Sequence, residues 1–144
     1  MTAARVLLVD DEQAFVETLS KRLNKRGLTV LAAFSGSEAL QALDKEPNLD
    51  AVILDVKMPG MDGIETLRNI KTKHPLVEVI MLTGHATVGS AIDGMKLGAL
   101  DYLMKPCDLD VLLAKVKEAK DKKDKHQAKI AEARAMEIAL RRGD

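Results

Sequence analysis

Five polar side chains directly follow short apolar segments of the sequence. They are Asp10, Asp11, Asp55, Thr83 and Lys105. Carboxylates held a few ångströms apart repel one another, and the common responses are a raised pKa or a bound cation. No histidine or cysteine stands at these positions, so a zinc site is not indicated. An all-oxygen donor set favours Mg²⁺, with Mn²⁺ as the alternative divalent ion.

The same residue types suit phosphoryl transfer. A divalent cation lowers the barrier for a carboxylate to approach a phosphoryl group, so Asp55 could act as a nucleophile and form an acyl phosphate. Lys105 could neutralise charge on that group, and Thr83 could hydrogen-bond one of its oxygens. Each residue alone has an ordinary explanation, as a turn, a cap or a solvated surface group. Their shared position after apolar segments is what indicates a common site.

The apolar segments predict the elements that position these residues. Five of them recur at similar intervals, at residues 6–9, 28–33, 51–54, 77–82 and 99–104. Short, mostly unalternating runs fit strands buried on both faces of a parallel sheet, and the intervening segments have helical spacing. Five strand–helix units predict a doubly wound α/β sandwich, in which functional groups collect at the carboxyl ends of the strands.

Composition narrows the class of protein. The chain has 144 residues, 47% of them hydrophobic and 31% charged, which fits one globular domain and argues against wholesale disorder. Its formal net charge is zero and it has one cysteine, so neither nucleic-acid binding nor an internal disulfide is indicated. No apolar segment is long enough for a membrane span or a signal peptide, so we expect a cytoplasmic protein.

Four motifs together carry a family resemblance. "LLVDDE", "VILDVKMPGMDG", "MLTGHA" and "DYLMKP" resemble the response-regulator receiver domain of bacterial two-component signalling over roughly residues 4–120. Their wording is most similar to receivers of nitrogen-regulator-type transcriptional activators. The resemblance implies a flavodoxin-like fold with strand order 2-1-3-4-5 and five helices.

The resemblance also implies roles for the acidic residues. Asp55 is then the phospho-acceptor, and its phosphoryl donor is a sensor histidine kinase or a phosphotransfer protein. Asp11 and Asp55 bind Mg²⁺ directly, Asp10 acts largely through water, and the backbone carbonyl of Lys57 supplies a further ligand. The chain is then a signalling phospho-acceptor and not a metabolic enzyme.

Further implied roles concern the neighbouring strands. Lys105 pairs with the phosphoryl group, and its peptide bond to Pro106 is expected to be cis. Thr83 and Tyr102 are expected to be the switch residues that change position on phosphorylation. The surface of the fourth helix, fifth strand and fifth helix is the expected output surface, and the resemblance implies the same surface for a homodimer.

Loop residues after the third and fourth strands have smaller predicted roles. Asp62 is interpreted as a helix cap and not as a metal ligand. Lys57 and His85 each stand two positions after a site residue, where we expect an effect on the lifetime of the acyl phosphate. Cys107 is interpreted as an incidental residue at the exit of the last strand.

The C-terminal segment departs from the resemblance. Residues 1–120 are expected to form the receiver, and residues 121–144 a charged helical extension or linker. From residue 108 to 142 there is no Gly or Pro, so one long helix or two can form. Nine of the thirteen residues 117–129 are charged, which predicts a solvated helix. Either a weak dimer contact or a docking helix fits its sparse apolar pattern.

Two other classes of protein form similar folds or similar chemistry. A haloacid-dehalogenase-like phosphatase also forms an aspartyl phosphate, but it needs a D-x-D pair on its first strand, which here ends in "DDE". A flavodoxin-like carrier needs hydroxyls and amides around its flavin phosphate, which Asp10, Asp11 and Glu12 would repel. The resemblance implies a downstream output protein or a lost output domain as a partner, and the sequence leaves open which of the two it is.

Overall fold

The computed structural model describes residues 3–142, which form five strands and five helices in strict alternation. The strands are β1 (Arg5–Val9), β2 (Thr29–Ala33), β3 (Ala51–Leu54), β4 (Glu78–Thr83) and β5 (Asp101–Met104). The helices are α1 (Gln13–Lys25), α2 (Gly36–Lys45), α3 (Gly63–Lys73), α4 (Val88–Lys96) and α5 (Leu109–Arg141). Within residues 3–142, no helix combines the length and the apolar composition that crossing a membrane requires.

The sheet is entirely parallel, with strand order β2-β1-β3-β4-β5. This confirms the predicted doubly wound, flavodoxin-like fold. Val9 pairs with Ala33 on one side and with Leu54 on the other, so β1, β2 and β3 end in line. The backbone N–H of Asp55 then donates to the Val9 carbonyl at 3.0 Å. This register places the residues that follow β1 and β3 side by side.

Two apolar layers cover the two faces of the sheet. Alternate residues of β1, β3 and β4 contact α2 and α3 on one face and α1 and α5 on the other. Ile53 and Leu54 show the alternation, because the first packs with the α1–α5 layer and the second with the α2–α3 layer. Both are almost fully buried, and each such side chain contributes about 1.5–3 kcal/mol of burial free energy.

Side-chain caps fix the start of the helices that lead away from the site. The Asp62 carboxylate accepts a hydrogen bond from the Glu65 N–H at 2.9 Å, which confirms its predicted role as the cap of α3. At α4, the Thr87 and Ser90 side chains form a reciprocal capping box. Each cap satisfies backbone donors that the first helical turn leaves without partners.

The last helix is a single element of 33 residues. Its charge density predicts a solvated surface beyond residue 117, but Ala119 is fully buried and Lys123 is only 4% exposed. The Lys123 ammonium donates to the Leu49 carbonyl at 2.7 Å and lies 3.4 Å from Asp50 Oδ1. Charge counting missed this contact because the acids that pair with the helix lie on other elements.

A group of ionic residues gathers at the edge of the sheet where the strands begin. We call it the amino-edge ion cluster, and it consists of Asp50, Glu78, Lys120, Lys122 and Lys123. Asp50 and Glu78 are both buried. Lys120 lies 3.9 Å from Asp50 and Lys122 lies 3.5 Å from Glu78. Three successive contacts therefore join α5 to the amino ends of β3 and β4.

Candidate functional site

Three carboxylates meet at the carboxyl edge of the sheet. Asp10, Asp11 and Asp55 each offer one oxygen, and these oxygens all lie within 4.8 Å of one another. Asp10 and Asp55 are buried, at 1% and 2% exposed, whereas Asp11 is open to solvent. The in-line ends of β1 and β3 produce this arrangement, although 44 positions of sequence separate Asp11 from Asp55.

Asp10 is held by two charged or polar donors. Its Oδ1 accepts a hydrogen bond from the Glu12 N–H at 3.0 Å, and its Oδ2 accepts one from the Lys105 ammonium at 2.6 Å. Lys105 also lies 3.7 Å from Glu12 Oε1. One acid of the three is thus already neutralised by a lysine delivered from the end of β5.

Asp55 is the carboxylate of the site whose charged form is disfavoured by its surroundings. Burial raises the pKa of its carboxyl above the ordinary value, and the neighbouring Asp10 charge acts in the same direction. The Thr83 hydroxyl, the Lys105 charge and the Val56 N–H oppose this shift without cancelling it. The Val56 N–H donates to Asp55 Oδ1 at 2.8 Å. A carboxylate in this state gains from any cation or electrophile that arrives beside it.

The loop after β3 packs against the backbone of Asp55. The Gly63 N–H donates to the Val56 carbonyl at 2.6 Å. A side chain at Gly63 would collide with the Asp55 carbonyl oxygen, and its Cβ would lie 2.6 Å from the Val56 Cα. Gly60 in the same loop has a φ of +76°, which glycine adopts without steric cost. Glycine at position 63 is therefore needed for close approach, a requirement that spacing alone did not reveal.

Thr83, at the end of β4, and Lys57, in the loop after β3, border the same site. Thr83 is fully buried, and its hydroxyl accepts a hydrogen bond from the His85 N–H at 3.0 Å. Lys57 and His85 line an open cavity together with Asp11 and Asp55. The five residues identified after the apolar segments thus lie around one edge of the sheet, and the Lys105–Pro106 peptide bond beside them is cis.

Tyr102 lies on β5 and contacts α4 instead of the carboxylates. Its hydroxyl is 2.6 Å from the Ser90 Oγ, and a Cβ at Gly94 would lie 3.5 Å from its ring. Ser90 also belongs to the capping box of α4. Sequence reasoning missed Ser90, although its position three residues after Thr87 is a capping signal.

The donor set fits a hard divalent cation. Asp11 and Asp55 provide carboxylate oxygens with no bonded lysine in the described structure, since the Lys105 ammonium is hydrogen-bonded to Asp10. Such all-oxygen sites with few protein carboxylates suit Mg²⁺, which keeps several water ligands. Burial and the neighbouring Asp10 charge raise the pKa of Asp55, and a cation bound beside it would oppose both effects.

Comparison with known proteins gives a family and its relatives. The model of the family described as response regulator receiver domain matches residues 6–117. The chain is 40% identical over 115 residues to the DNA-binding transcriptional regulator NtrC of Escherichia coli K12, covering 79% of the chain and 24% of that protein. It is also 40% identical over 114 residues to the transcriptional regulatory protein ZraR of Klebsiella oxytoca, covering 79% and 26%. The chain therefore spans about a quarter of the length of these curated relatives.

Solved structures give the same result for the fold. A response regulator receiver domain protein from Clostridium thermocellum superposes with a TM-score of 0.80 at 37% identity, covering 84% of this chain and 97% of that one. A CheY-like receiver domain protein from Methanospirillum hungatei superposes with a TM-score of 0.81 at 31% identity, covering 86% and 98%.

Proposed function

The chain belongs to the response regulator receiver domain family, and from this we propose that it is a phosphorylation-controlled switch with Asp55 as acceptor. The observation that carries the proposal is the cluster of Asp10, Asp11 and Asp55, whose oxygens lie within 4.8 Å of one another beside Thr83 and Lys105. A buried acid with a raised pKa in such a cluster favours a functional role for Asp55.

We assign the divalent cation to Asp11, Asp55 and the backbone carbonyl of Lys57. Asp10, which already accepts the Lys105 ammonium, acts through water. When bound, Mg²⁺ offsets the negative charge that the carboxylates and the phosphoryl oxygens bring together. The open cavity lined by Asp11, Asp55 and Lys57 supports this assignment, because it leaves room for water ligands and for a phosphoryl donor.

In the transfer step, a carboxylate oxygen of Asp55 attacks the phosphorus of the donor. An acyl P–O bond forms as the bond between phosphorus and the donor breaks, and the donor leaves with the electron pair. The donor is the phosphohistidine of a sensor histidine kinase or of a phosphotransfer protein. Lys105 places positive charge beside the phosphoryl oxygens, and the Thr83 hydroxyl donates to one of them.

The switch follows from what Thr83 and Tyr102 contact before phosphorylation. Thr83 must turn its hydroxyl from the His85 N–H toward the phosphoryl group. The displacement of Thr83 opens space at the end of β4. The Tyr102 side chain, which lies on β5, then turns away from α4 into this space. That turn breaks the hydrogen bond to Ser90 and so loosens the capped start of α4. A chemical change at Asp55 is thereby converted into a change of surface.

The output surface is the one formed by α4, β5 and α5. It exposes large apolar side chains at Val88, Ile92, Met95, Met104 and Val111. Exposed apolar side chains on all three of these elements support contact with another protein. We propose that this face binds a second copy of the chain or a downstream output protein, and that it has no direct part in nucleic-acid binding.

One experiment tests the function against its alternatives. Purified protein is incubated with acetyl phosphate and either Mg²⁺ or EDTA, and incorporated phosphate is counted while turnover of a chromogenic phosphoester is followed. A receiver takes up one phosphoryl group per chain only with Mg²⁺ and does not turn over the phosphoester. Rapid phosphoester turnover would favour a phosphatase, and a yellow, flavin-bearing protein would favour a carrier. Either result would overturn the proposal.

A further inference from the structure

An aromatic ring lies against the Lys105 ammonium of the site. The Lys105 ammonium is 3.9 Å from the centroid of the Phe15 ring, in addition to its contacts with Asp10 at 2.6 Å and Glu12 at 3.7 Å. Phe15 stands in the first turn of α1, three residues after Glu12, the last of the acidic residues that follow β1. The helix that begins at the acidic site therefore also delivers the ring.

The surroundings make this contact stronger than a typical surface one. A cation within about 6 Å of a ring centroid is attracted by the negative face of the π-system, and the attraction grows when water is excluded. The Lys105 side chain is only 16% exposed. Phe15 packs against the apolar layer between the sheet and α1–α5, and it borders a cavity with Pro106 and Cys107. Apolar packing therefore holds the ring in place.

We propose that Phe15 is a positioning residue for Lys105, whose ring face holds the ammonium beside Asp10 before a phosphoryl group arrives. This inference rests on the proposed function. A free lysine side chain loses rotamer entropy when it is ordered. If Phe15 and Asp10 order Lys105 in the resting state, that cost does not fall on the transfer step.

An aromatic side chain suits this role better than the alternatives. A third carboxylate beside Lys105 would add negative charge that repels the incoming phosphoryl group. An aliphatic side chain would fill the space without attracting the charge. The ring attracts the ammonium yet occupies none of its hydrogen-bond donors with an oxygen, so the donors stay available for phosphoryl oxygens.

The first readout needs no phosphorylation. A ring-current shift of the Lys105 ε-methylene protons is measured by NMR, with the resonance assigned through its loss in Lys105→Met. We expect the upfield shift in the wild type and in Phe15→Tyr, and its loss in Phe15→Leu, which keeps a similar volume without the ring. Phe34→Leu removes the only other phenylalanine of the chain and is the matched control, in which the shift is retained.

The second readout is the rate of labelling by acetyl phosphate at saturating Mg²⁺. We expect Phe15→Leu to be slower by about threefold to tenfold, Phe15→Tyr to restore the rate, and Phe34→Leu to leave it unchanged. Mg²⁺ affinity stays the same in all of them, because the metal-binding carboxylates are untouched. Rescue by Phe15→Tyr separates positioning from a general loss of packing.

The outcomes distinguish this inference from the function on which it rests. An unaltered Lys105 shift in Phe15→Leu, or a lost shift with a wild-type labelling rate, would overturn the positioning role alone. If the wild type itself were not labelled while its ring-current shift was present, the proposed function would fail, and the positioning role with it.

Discussion

At the scale of single residues, the site contains a buried carboxylate, Asp55, whose neighbours only partly offset the free-energy cost of burying its charge. Asp55 is 2% exposed and has a raised pKa, whereas Asp10 has the Lys105 ammonium at 2.6 Å. A charge kept in such surroundings lowers the stability of the folded state. Sites that carry function commonly retain this kind of cost.

Asp55→Asn should therefore stabilise the fold in the absence of divalent cations. We expect a gain of about 1 kcal/mol at neutral pH, measured by urea unfolding in EDTA. Because the folded-state pKa lies above the ordinary value of 3.8, wild-type stability falls as pH rises from that value through the raised pKa. The advantage of the variant is present above this window and vanishes below it, where Asp55 is protonated in both states.

Mg²⁺ provides the control for that prediction. Saturating Mg²⁺ should raise the unfolding free energy of the wild type, because it binds the folded state, and should narrow or reverse the difference. A variant less stable than the wild type in EDTA would show that Asp55 contributes to the fold and that its charge is not a burden.

Asp11 should contribute far more to cation binding than Glu12, the next residue in the sequence. We expect Asp11→Asn to weaken Mg²⁺ binding by about tenfold or more in calorimetric titration, because it removes a carboxylate ligand. Glu12→Gln is the matched control, since Glu12 is exposed and contacts Lys105 at 3.7 Å instead of the metal-binding oxygens. Equal effects of the two substitutions would mean that bulk negative charge, and not a defined site, binds the ion.

The acids could be located from sequence, but several of their supporting contacts could not. Asp10 and Asp55 follow apolar segments, and parallel strands bring such positions to one edge. The Phe15–Lys105 and Ser90–Tyr102 contacts depend on side-chain directions across 90 and 12 positions of sequence. No periodicity encodes those directions, so these two pairs emerge only from the folded chain.

At the scale of elements, the loop between β3 and α3 sets where Asp55 lies. Gly63 permits the close contact between this loop and the backbone of Asp55 and Val56, because any side chain at position 63 would collide with that backbone. The loop leads directly into the Asp62 cap of α3. The backbone of Asp55 is therefore held by the start of α3 as well as by β3.

Gly63→Ala should disturb this loop strongly. We expect it to lower the unfolding free energy by about 2 kcal/mol or more and to reduce labelling by acetyl phosphate, because the backbone at Asp55 must shift. Gly89→Ala is the matched control in a helix, where the added Cβ has nothing nearer than Thr87 Oγ1 at 4.0 Å. It should stabilise by about 0.5–1 kcal/mol. Equal stability of both variants would contradict the close-contact explanation.

The amino-edge ion cluster makes part of the C-terminal extension an element of the domain. Lys123 lies three residues past the expected boundary at residue 120, yet it bonds to the Leu49 carbonyl and approaches Asp50. The amide hydrogens of residues that reach the core in this way should exchange with solvent as slowly as those of the domain, and not at the faster rate of a separate segment. We therefore propose that the receiver extends at least to Lys123.

Lys123→Met should test that proposal through stability. Removal of the ammonium leaves the Asp50 carboxylate buried with fewer partners, and we expect a loss of about 3 kcal/mol in urea unfolding. Lys125→Met, at an exposed position on the same helix, should change stability by less than about 0.5 kcal/mol. Indistinguishable unfolding of the two variants would return residues 121–144 to the status of a linker.

The elements themselves follow largely from sequence. Buried parallel strands leave short apolar runs, and the absence of Gly and Pro over residues 108–142 allows one continuous α5. The burial of Lys123 could not be predicted, since it is one of nine charged residues among thirteen, and its partner Asp50 lies just before β3, 73 positions earlier in the sequence. Local charge density indicates solvation only when no distant partner exists.

At the scale of the whole molecule, the two edges of the sheet have different tasks. The carboxyl edge holds the acidic site, and the amino edge holds α5 through the ion cluster. The helix α5 is thereby fixed to the edge of the sheet opposite the acidic site.

Localisation of the phosphoryl group tests the whole proposal most directly. Wild type, Asp55→Asn and Asp62→Asn are incubated with acetyl phosphate and Mg²⁺. The intact mass of each protein is measured, and the modified peptide is then identified by peptide mapping. We expect one phosphoryl group on wild type and on Asp62→Asn, located in the peptide that contains Asp55, and none on Asp55→Asn or in EDTA. Equal labelling of Asp55→Asn, or an unlabelled wild type under conditions that label a control receiver, would contradict Asp55 as the acceptor.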